Sequence, residues 1–168
     1  MLRAFGSEPS KLLSPEPDAI AELRALLSGG ADRAWRIEAS ALLSGPWRDQ
    51  VIAAAAIAIG GADEALCASL WDAIDGTSWV VPQLVAAALL ADPSFEPRAA
   101  DRLGSPMRRP PKTIGALVRA YNRCPARRMP VIAQLGVHDR TMATEEARIG
   151  IRGVDAWLDY FSGSSRAS

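Results

Sequence analysis

The chain has 168 residues, a formal net charge of zero, 49% hydrophobic residues and 23% charged residues. These values exclude wholesale disorder and argue against a dedicated nucleic-acid binder, which is usually basic as a whole domain. The longest apolar runs are too short to cross a bilayer, residues 1–17 lack the apolar core of a secretory signal, and two distant cysteines make no disulfide framework. The sequence therefore predicts one cytoplasmic domain over residues 1–162, with no membrane, metal or cofactor.

After an arm at residues 1–14, apolar residues at helical spacing predict six helices in the first part of the chain. They cover about 17–28, 32–43, 46–59, 63–74, 78–91 and 95–103. The apolar face of the first helix, which we expect to be buried, consists of Ala19, Leu23, Leu26 and Leu27. The third and fifth helices are apolar on nearly every side, so other helices must cover them on more than one side.

Two kinds of junction between these helices recur with a period near 30 residues. Gly-Gly-Ala-Asp occurs at 29–32 and at 60–63 and is reduced to Ala-Asp at 91–92. The other junction carries a glycine, followed in two copies by a tryptophan; its residues are Gly45, Gly76, Gly104, Trp47 and Trp79. A fixed period in a helical sequence indicates stacked helix pairs, with Gly-Gly-Ala-Asp as an architectural hinge. We therefore predict an all-α fold. The predicted architecture is a short right-handed α-solenoid of about four helix pairs, and three of these pairs lie in residues 17–104.

The second part of the chain begins with a proline-rich break at 105–111. A helix is predicted at 112–123, and 112–136 is interpreted as a degenerate fourth pair whose second member is interrupted by Pro130. A last amphipathic helix at 141–161 would cap the open end of the array. Gly150 and Gly153 weaken this helix and allow a kink, and 163–168 is expected to be a flexible tail. The apolar positions of the capping helix are Ala147, Ile151, Val154, Leu158 and Phe161.

One stretch of the first two helices carries a family pattern. Leu23-x-Ala25-Leu26-Leu27 is followed by a tight turn and by 34–43, where Arg36 stands between an apolar residue and an Ala/Leu ladder. This pattern resembles a HEAT repeat, and the resemblance extends roughly over 17–104. The period of about 30 residues is shorter than that of HEAT or armadillo repeats. The resemblance implies a HEAT-like α-solenoid, a class that mostly binds other macromolecules on an extended concave face.

Patterns for catalysis are sparse. His138 is the only histidine, and its surroundings are typical of a surface turn, so neither a Ser/His/Asp triad nor an imidazole metal site is indicated. Asp72 and Asp75 form the best pair for general acid–base chemistry, with Asp49 as a further groove carboxylate. Asp75 also precedes a glycine at an ordinary helix end. The sequence favours a non-enzymatic role, with a hydrolase or lyase as an alternative.

Two sets of residues are candidates for contacting a partner. Trp47 and Trp79 occupy equivalent junctions, so they should emerge on the same edge of the array and anchor an interface. Seven basic residues lie within 21 positions that contain no acid: Arg108, Arg109, Lys112, Arg119, Arg123, Arg127 and Arg128. Guanidinium groups suit carboxylates and phosphates. The seven basic residues could equally form ion pairs with acidic residues in the first part of the same chain, since residues 1–103 hold 8 basic and 14 acidic side chains.

Together these features predict a protein-binding HEAT-like solenoid without catalysis, such as an inhibitor, an immunity-type protein or an adaptor. Its partner would be another protein, and the basic residues favour one with an acidic patch. The basic segment 108–128 leaves nucleic-acid binding as an alternative. In that case the affinity for nucleic acid would fall steeply with added salt. Self-association of the chain also stays open.

Overall fold

The computed structural model describes residues 16–28, 32–105, 109–125 and 139–164. Within these ranges the chain forms helices and no strand, so the all-α prediction is confirmed. The predicted arm at 1–14, the first hinge glycines at 29–30, the segment 126–136 and the tail beyond 164 lie outside the described residues. The helices are α1 (Pro17–Ser28), α2 (Asp32–Leu43), α3 (Trp47–Gly60), α4 (Glu64–Asp75), α5 (Val81–Ala91), α6 (Phe95–Gly104), α7 (Pro111–Arg123), α8 (Asp139–Met142) and α9 (Glu145–Ser164). None of them has the length and apolarity needed to span a membrane.

Most helix boundaries follow the local sequence signals. α1 to α4, α6 and α7 begin and end within one residue of their predicted limits. α5 begins at Val81 rather than at Ser78, and Pro82 explains the difference. In a helix begun at Ser78, Pro82 could not donate the first helical hydrogen bond, because proline has no amide proton. Beginning at Val81 puts Pro82 in the first turn, where amide protons have no partner inside the helix.

α5 lies at the centre of the fold. Residues 81–88 are all buried, and the helix packs against α3, α4, α7 and α9. α3 packs against α1, α2 and α5, while α7 packs against α5, α6, α8 and α9. The helices α3, α5 and α7 therefore form an inner row, and α2, α4 and α6 each pack on the helix that follows them. This coverage explains why α3 and α5 are apolar on nearly every side.

The predicted buried face of α1 is wrong at one position. Leu26 is 70% exposed, whereas Ala19 and Ile20 are buried. α1 packs chiefly against α3. Because a single neighbouring helix covers only part of the face that carries the four predicted residues, Leu26 stays exposed. Ile37 on α2 is likewise 64% exposed. This end of the fold thus presents two large apolar side chains, of which Leu26 was predicted to be buried.

Within the range 141–161, where one helix was predicted, α8 ends at Met142 and α9 begins at Glu145. α9 packs against α5 and α7 and runs without interruption through Gly150. A methyl group added at Gly150 would lie 2.2 Å from the Lys112 carbonyl oxygen, and one added at Gly115 would lie 2.3 Å from the Ala147 carbonyl oxygen. These glycines therefore permit a close approach of two helix backbones rather than a kink. Trp157, which the sequence did not single out, is the largest fully buried side chain in the described part of the chain.

Candidate functional site

Two Gly/Trp junctions contribute to the same cleft. The α2–α3 junction contributes Gly45 and Trp47, and the α4–α5 junction contributes Gly76 and Trp79. The cleft has a volume of about 520 Å³, and side chains of α4 also line it. The structure therefore places both predicted tryptophans on one concave surface. We call this surface, with its two tryptophans and Asp72, the tryptophan cleft.

Trp79 stands between the tryptophan cleft and a smaller cavity. Its side chain is 78% exposed, more than any other large apolar residue in the described ranges. The Lys112 ammonium lies 4.2 Å from the centre of the Trp79 ring and donates a hydrogen bond of 3.0 Å to the Trp79 carbonyl oxygen. Lys112 lines the smaller cavity, of about 110 Å³, and not the main cleft. Burial lowers the pKa of Lys112, and the charge of Glu146 partly opposes this shift.

Gln50 connects the two sides of the tryptophan cleft. Its side-chain amide donates to the Leu43 carbonyl oxygen at the end of α2, at 3.0 Å. Its side-chain oxygen accepts a hydrogen bond from the Ser78 hydroxyl in the α4–α5 junction. Trp47 is half-buried beside it, and the Arg48 guanidinium lies 4.3 Å from the Trp47 ring centre. The cleft is therefore held in shape by hydrogen bonds between successive junctions, which sequence periodicity did not reveal.

Among the residues that the structure describes, Asp72 supplies the one charged side chain that lines the tryptophan cleft. It is exposed, and within the described ranges no hydrogen bond or ion pair engages its carboxylate. Ser69, one helical turn away on the same wall, is already bonded to Ser40 at 2.9 Å and to the Ala65 carbonyl oxygen at 3.2 Å. Asp72 is thus the acidic acceptor that the cleft offers to a ligand.

Asp75, the proposed catalytic partner of Asp72, has a different environment. Arg102 donates to its two carboxylate oxygens at 2.7 to 3.1 Å, and Arg109 donates to one of them at 3.2 and 3.3 Å. The Arg102 guanidinium also stacks 4.3 Å from the Trp71 ring centre. Hydrogen bonds between a guanidinium and a carboxylate are stronger than those between neutral groups. Asp75 therefore ties the end of α4 to α6 and to the segment before α7.

The predicted basic surface is largely engaged within the chain where the structure describes it. Arg109 is bound to Asp75, as above, and only 11% of its side chain is exposed. Arg119 donates to Asp155 at 2.7 Å, and Arg123 donates to Asp155 at 2.9 Å and to Asp159 at 3.0 Å. Burial opposes the charge of Arg123, but the hydrogen bonds to these carboxylates outweigh it and raise its pKa. These ion pairs join α7 to α9.

The remaining candidates lie elsewhere. Arg108, Arg127, Arg128 and His138 fall outside the described residues, and Asp49 sits at the first turn of α3, next to the Gly45 wall of the cleft. No group of three or more histidine, cysteine or acidic residues could hold a metal ion in the described ranges.

The two described copies of the hinge aspartate have different roles. Asp63 caps α4, since its side chain accepts the Leu66 amide at 2.9 Å. Asp92 is buried and accepts the Trp71 indole N–H at 2.7 Å and the Ser94 amide at 2.8 Å. Burial, reinforced by the charge of Asp92, raises the pKa of the Cys67 thiol to about 11. The hinge residues therefore organise packing and do not face the cleft.

Comparison of the chain with protein-family models, with curated proteins and with solved structures gives no match.

Proposed function

We propose that this chain is a protein-binding module, in which a short α-solenoid of HEAT-like helix pairs presents the tryptophan cleft to one partner protein. The observation that carries the proposal is the exposure of Trp79 on a preformed concave surface beside Trp47. Exposing a large aromatic ring to water forgoes its burial free energy, and such rings are enriched among the anchors of protein interfaces. The hydrogen bonds of Gln50 hold the surface in shape before binding.

The packing of the helices supports the solenoid part of the proposal. Each of α2, α4 and α6 packs on the helix that follows it, and α3, α5 and α7 pack in sequence. The sequence pattern implied the pairs α1–α2, α3–α4 and α5–α6, joined internally by Gly-Gly-Ala-Asp. The helix contacts instead favour α2–α3, α4–α5 and α6–α7 as the pairs. Gly-Gly-Ala-Asp then joins one pair to the next, and the Gly/Trp junctions turn the chain within a pair. Pairs of this kind place equivalent loops along one edge of an array, where the cleft lies.

The charges favour a protein over a nucleic acid as the partner. Nucleic-acid binding draws on cations that are free to neutralise phosphates. Arg109, Arg119 and Arg123 are instead paired with carboxylates, and Lys112 is bound to Trp79. An acidic partner remains a prediction that depends on the three basic residues outside the described ranges.

The proposal is tested by capturing the partner from the source organism and then measuring its affinity with purified proteins. Trp79→Ala should weaken binding by at least about 2 kcal/mol, or roughly thirtyfold in Kd, as expected for an interface anchor. Leu26→Ala is the matched control, because Leu26 is similarly exposed but lies on α1, away from the cleft. Equal affinity for wild type and Trp79→Ala, with a protein that binds specifically, would place the interface elsewhere and refute the proposed site.

A further inference from the structure

We infer that the partner inserts a basic side chain, lysine or arginine, into the tryptophan cleft, with its charged head between the Asp72 carboxylate and the Trp79 ring. This inference rests on the proposed function and specifies the chemistry of the partner. It differs from the acidic partner that the basic segment of the sequence suggested, because the cleft and the basic segment have opposite charge.

The first argument is the charge of the cleft wall. Asp72 is the charged side chain among the lining residues, and no described residue neutralises it. Asp75, one turn further along α4, is by contrast held by two arginines. A carboxylate of Asp49 lies next to the Gly45 wall and adds negative potential there. A partner cation would gain a counter-ion in this cleft, whereas a partner carboxylate would meet a like charge.

The second argument is the aromatic surface beside Asp72. Cations bind over the faces of tryptophan rings, and the chain itself uses this interaction at both tryptophans of the cleft, with Lys112 over Trp79 and Arg48 over Trp47. Neither of these cations lines the main cleft. Lys112 lines the smaller cavity together with Trp79. Trp79 is 78% exposed and no described cation lines the main cleft with it, so the cleft can take a cation from outside the chain.

The third argument concerns size and the hydrogen-bonding groups of the cleft. A volume of about 520 Å³ is within the range of pockets that enclose small ligands. It accommodates one long side chain with part of its backbone more readily than a folded surface. The stem of a lysine or arginine would lie along the tryptophan rings while the charged head reaches Asp72. Most other polar side chains of the lining, such as Ser69, Ser78 and Gln50, already have partners within the chain.

The test uses the full chain and short probes. Acetylated pentapeptides carrying lysine, arginine, glutamate or norleucine between glycines are titrated while the tryptophan indole N–H signals are followed by NMR. Lysine or arginine probes should shift the Trp79 signal saturably, and the glutamate and norleucine probes should bind more weakly or not at all. Asp72→Asn should raise the Kd of the basic probes roughly two- to fivefold, which is the range of an exposed ion pair. Added salt should weaken wild type more than Asp72→Asn.

One control variant separates this inference from its opposite. Arg48→Met removes a cation that adjoins Trp47 but does not line the cleft. It should leave the affinity for basic probes unchanged or higher, because a like charge has been removed. The inference is overturned if the glutamate probe binds as tightly as the lysine and arginine probes, or if no basic probe shifts the Trp79 signal. The protein-binding proposal would survive that result if the captured partner still required Trp79.

Discussion

The crossing of α7 and α9 makes a sharp prediction about Gly150. Replacing a glycine by alanine inside a helix normally stabilises it by about 1 kcal/mol, because alanine has the better helix propensity. We predict the opposite here. The new methyl group would lie 2.2 Å from the Lys112 carbonyl oxygen and 3.0 Å from the Ala116 amide nitrogen. Both atoms belong to the backbone of α7, so no side-chain rotation can relieve the contact.

The magnitude follows from these two opposing terms. Overpacking a well-ordered contact costs typically 1–3 kcal/mol and occasionally more, and a backbone clash at this distance belongs at or above the upper end of that range. After the gain in helix propensity, Gly150→Ala should lower the free energy of unfolding by about 2 kcal/mol. For a chain of this size, that corresponds to a fall in Tm of roughly 4–8 °C. Gly115→Ala should behave alike, since its methyl group would meet the Ala147 backbone.

Urea denaturation of wild type and variants measures this effect. The midpoint should fall while the slope of free energy against urea stays constant. The double variant of Gly115 and Gly150 should cost less than the sum of the single variants, because one displacement of α9 relieves both contacts. Arg152→Ala on the exposed side of α9 is the control and should change stability by at most about 0.5 kcal/mol. A Gly150→Ala variant as stable as wild type would show that α7 and α9 do not approach this closely.

Two further predictions concern the buried surroundings of Asp92. Asp92→Ala should cost about 2–4 kcal/mol, because the buried Trp71 indole N–H loses its acceptor. In a double-mutant cycle with Trp71→Phe, a coupling energy below about 0.5 kcal/mol would count against this bond. For Cys67, the thiol pKa is 9.0 in the unfolded chain and about 11 in the fold. The fold therefore retains the proton between these values, and stability falls as pH rises from about 9 towards 11. Cys67→Ala should remove that part of the slope in urea midpoints measured over this pH range, and an unchanged slope would contradict the assignment.

The tryptophan cleft was only partly visible in the sequence. The matched spacing of Trp47 and Trp79 indicated that both residues belong to equivalent junctions, which is a local signal. The sequence could not show that Gln50 would bridge the two junctions or that Asp72 would line the same cleft. Those relations depend on how one helix pair stacks on the next, and no spacing rule relates a side chain of α3 to a loop after α4.

The basic segment shows why composition misleads about surfaces. Seven cations without an acid among them look like an open binding surface when only neighbours in sequence are considered. Their counter-ions come from elsewhere in the chain: Asp75 lies 34 residues before Arg109, and Asp155 lies 36 residues after Arg119. Charge pairing over such separations is decided by helix packing. Each pairing removes a charge from the set that could contact a partner.

The sequence by itself determined the helices, because apolar periodicity and the glycine and proline signals at their ends act over a few residues. It also determined the period near 30 residues that placed Trp47 and Trp79 at equivalent junctions. Only the tertiary structure decided which helices touch, that Gly150 permits a close crossing, and which charges stay free. Asp75 and Asp72 illustrate the difference, since both are acidic residues of α4. Asp75 is held by Arg102 of α6 and by Arg109 of the segment before α7. Asp72 lines the cleft, and packing brings it no counter-ion from the described chain.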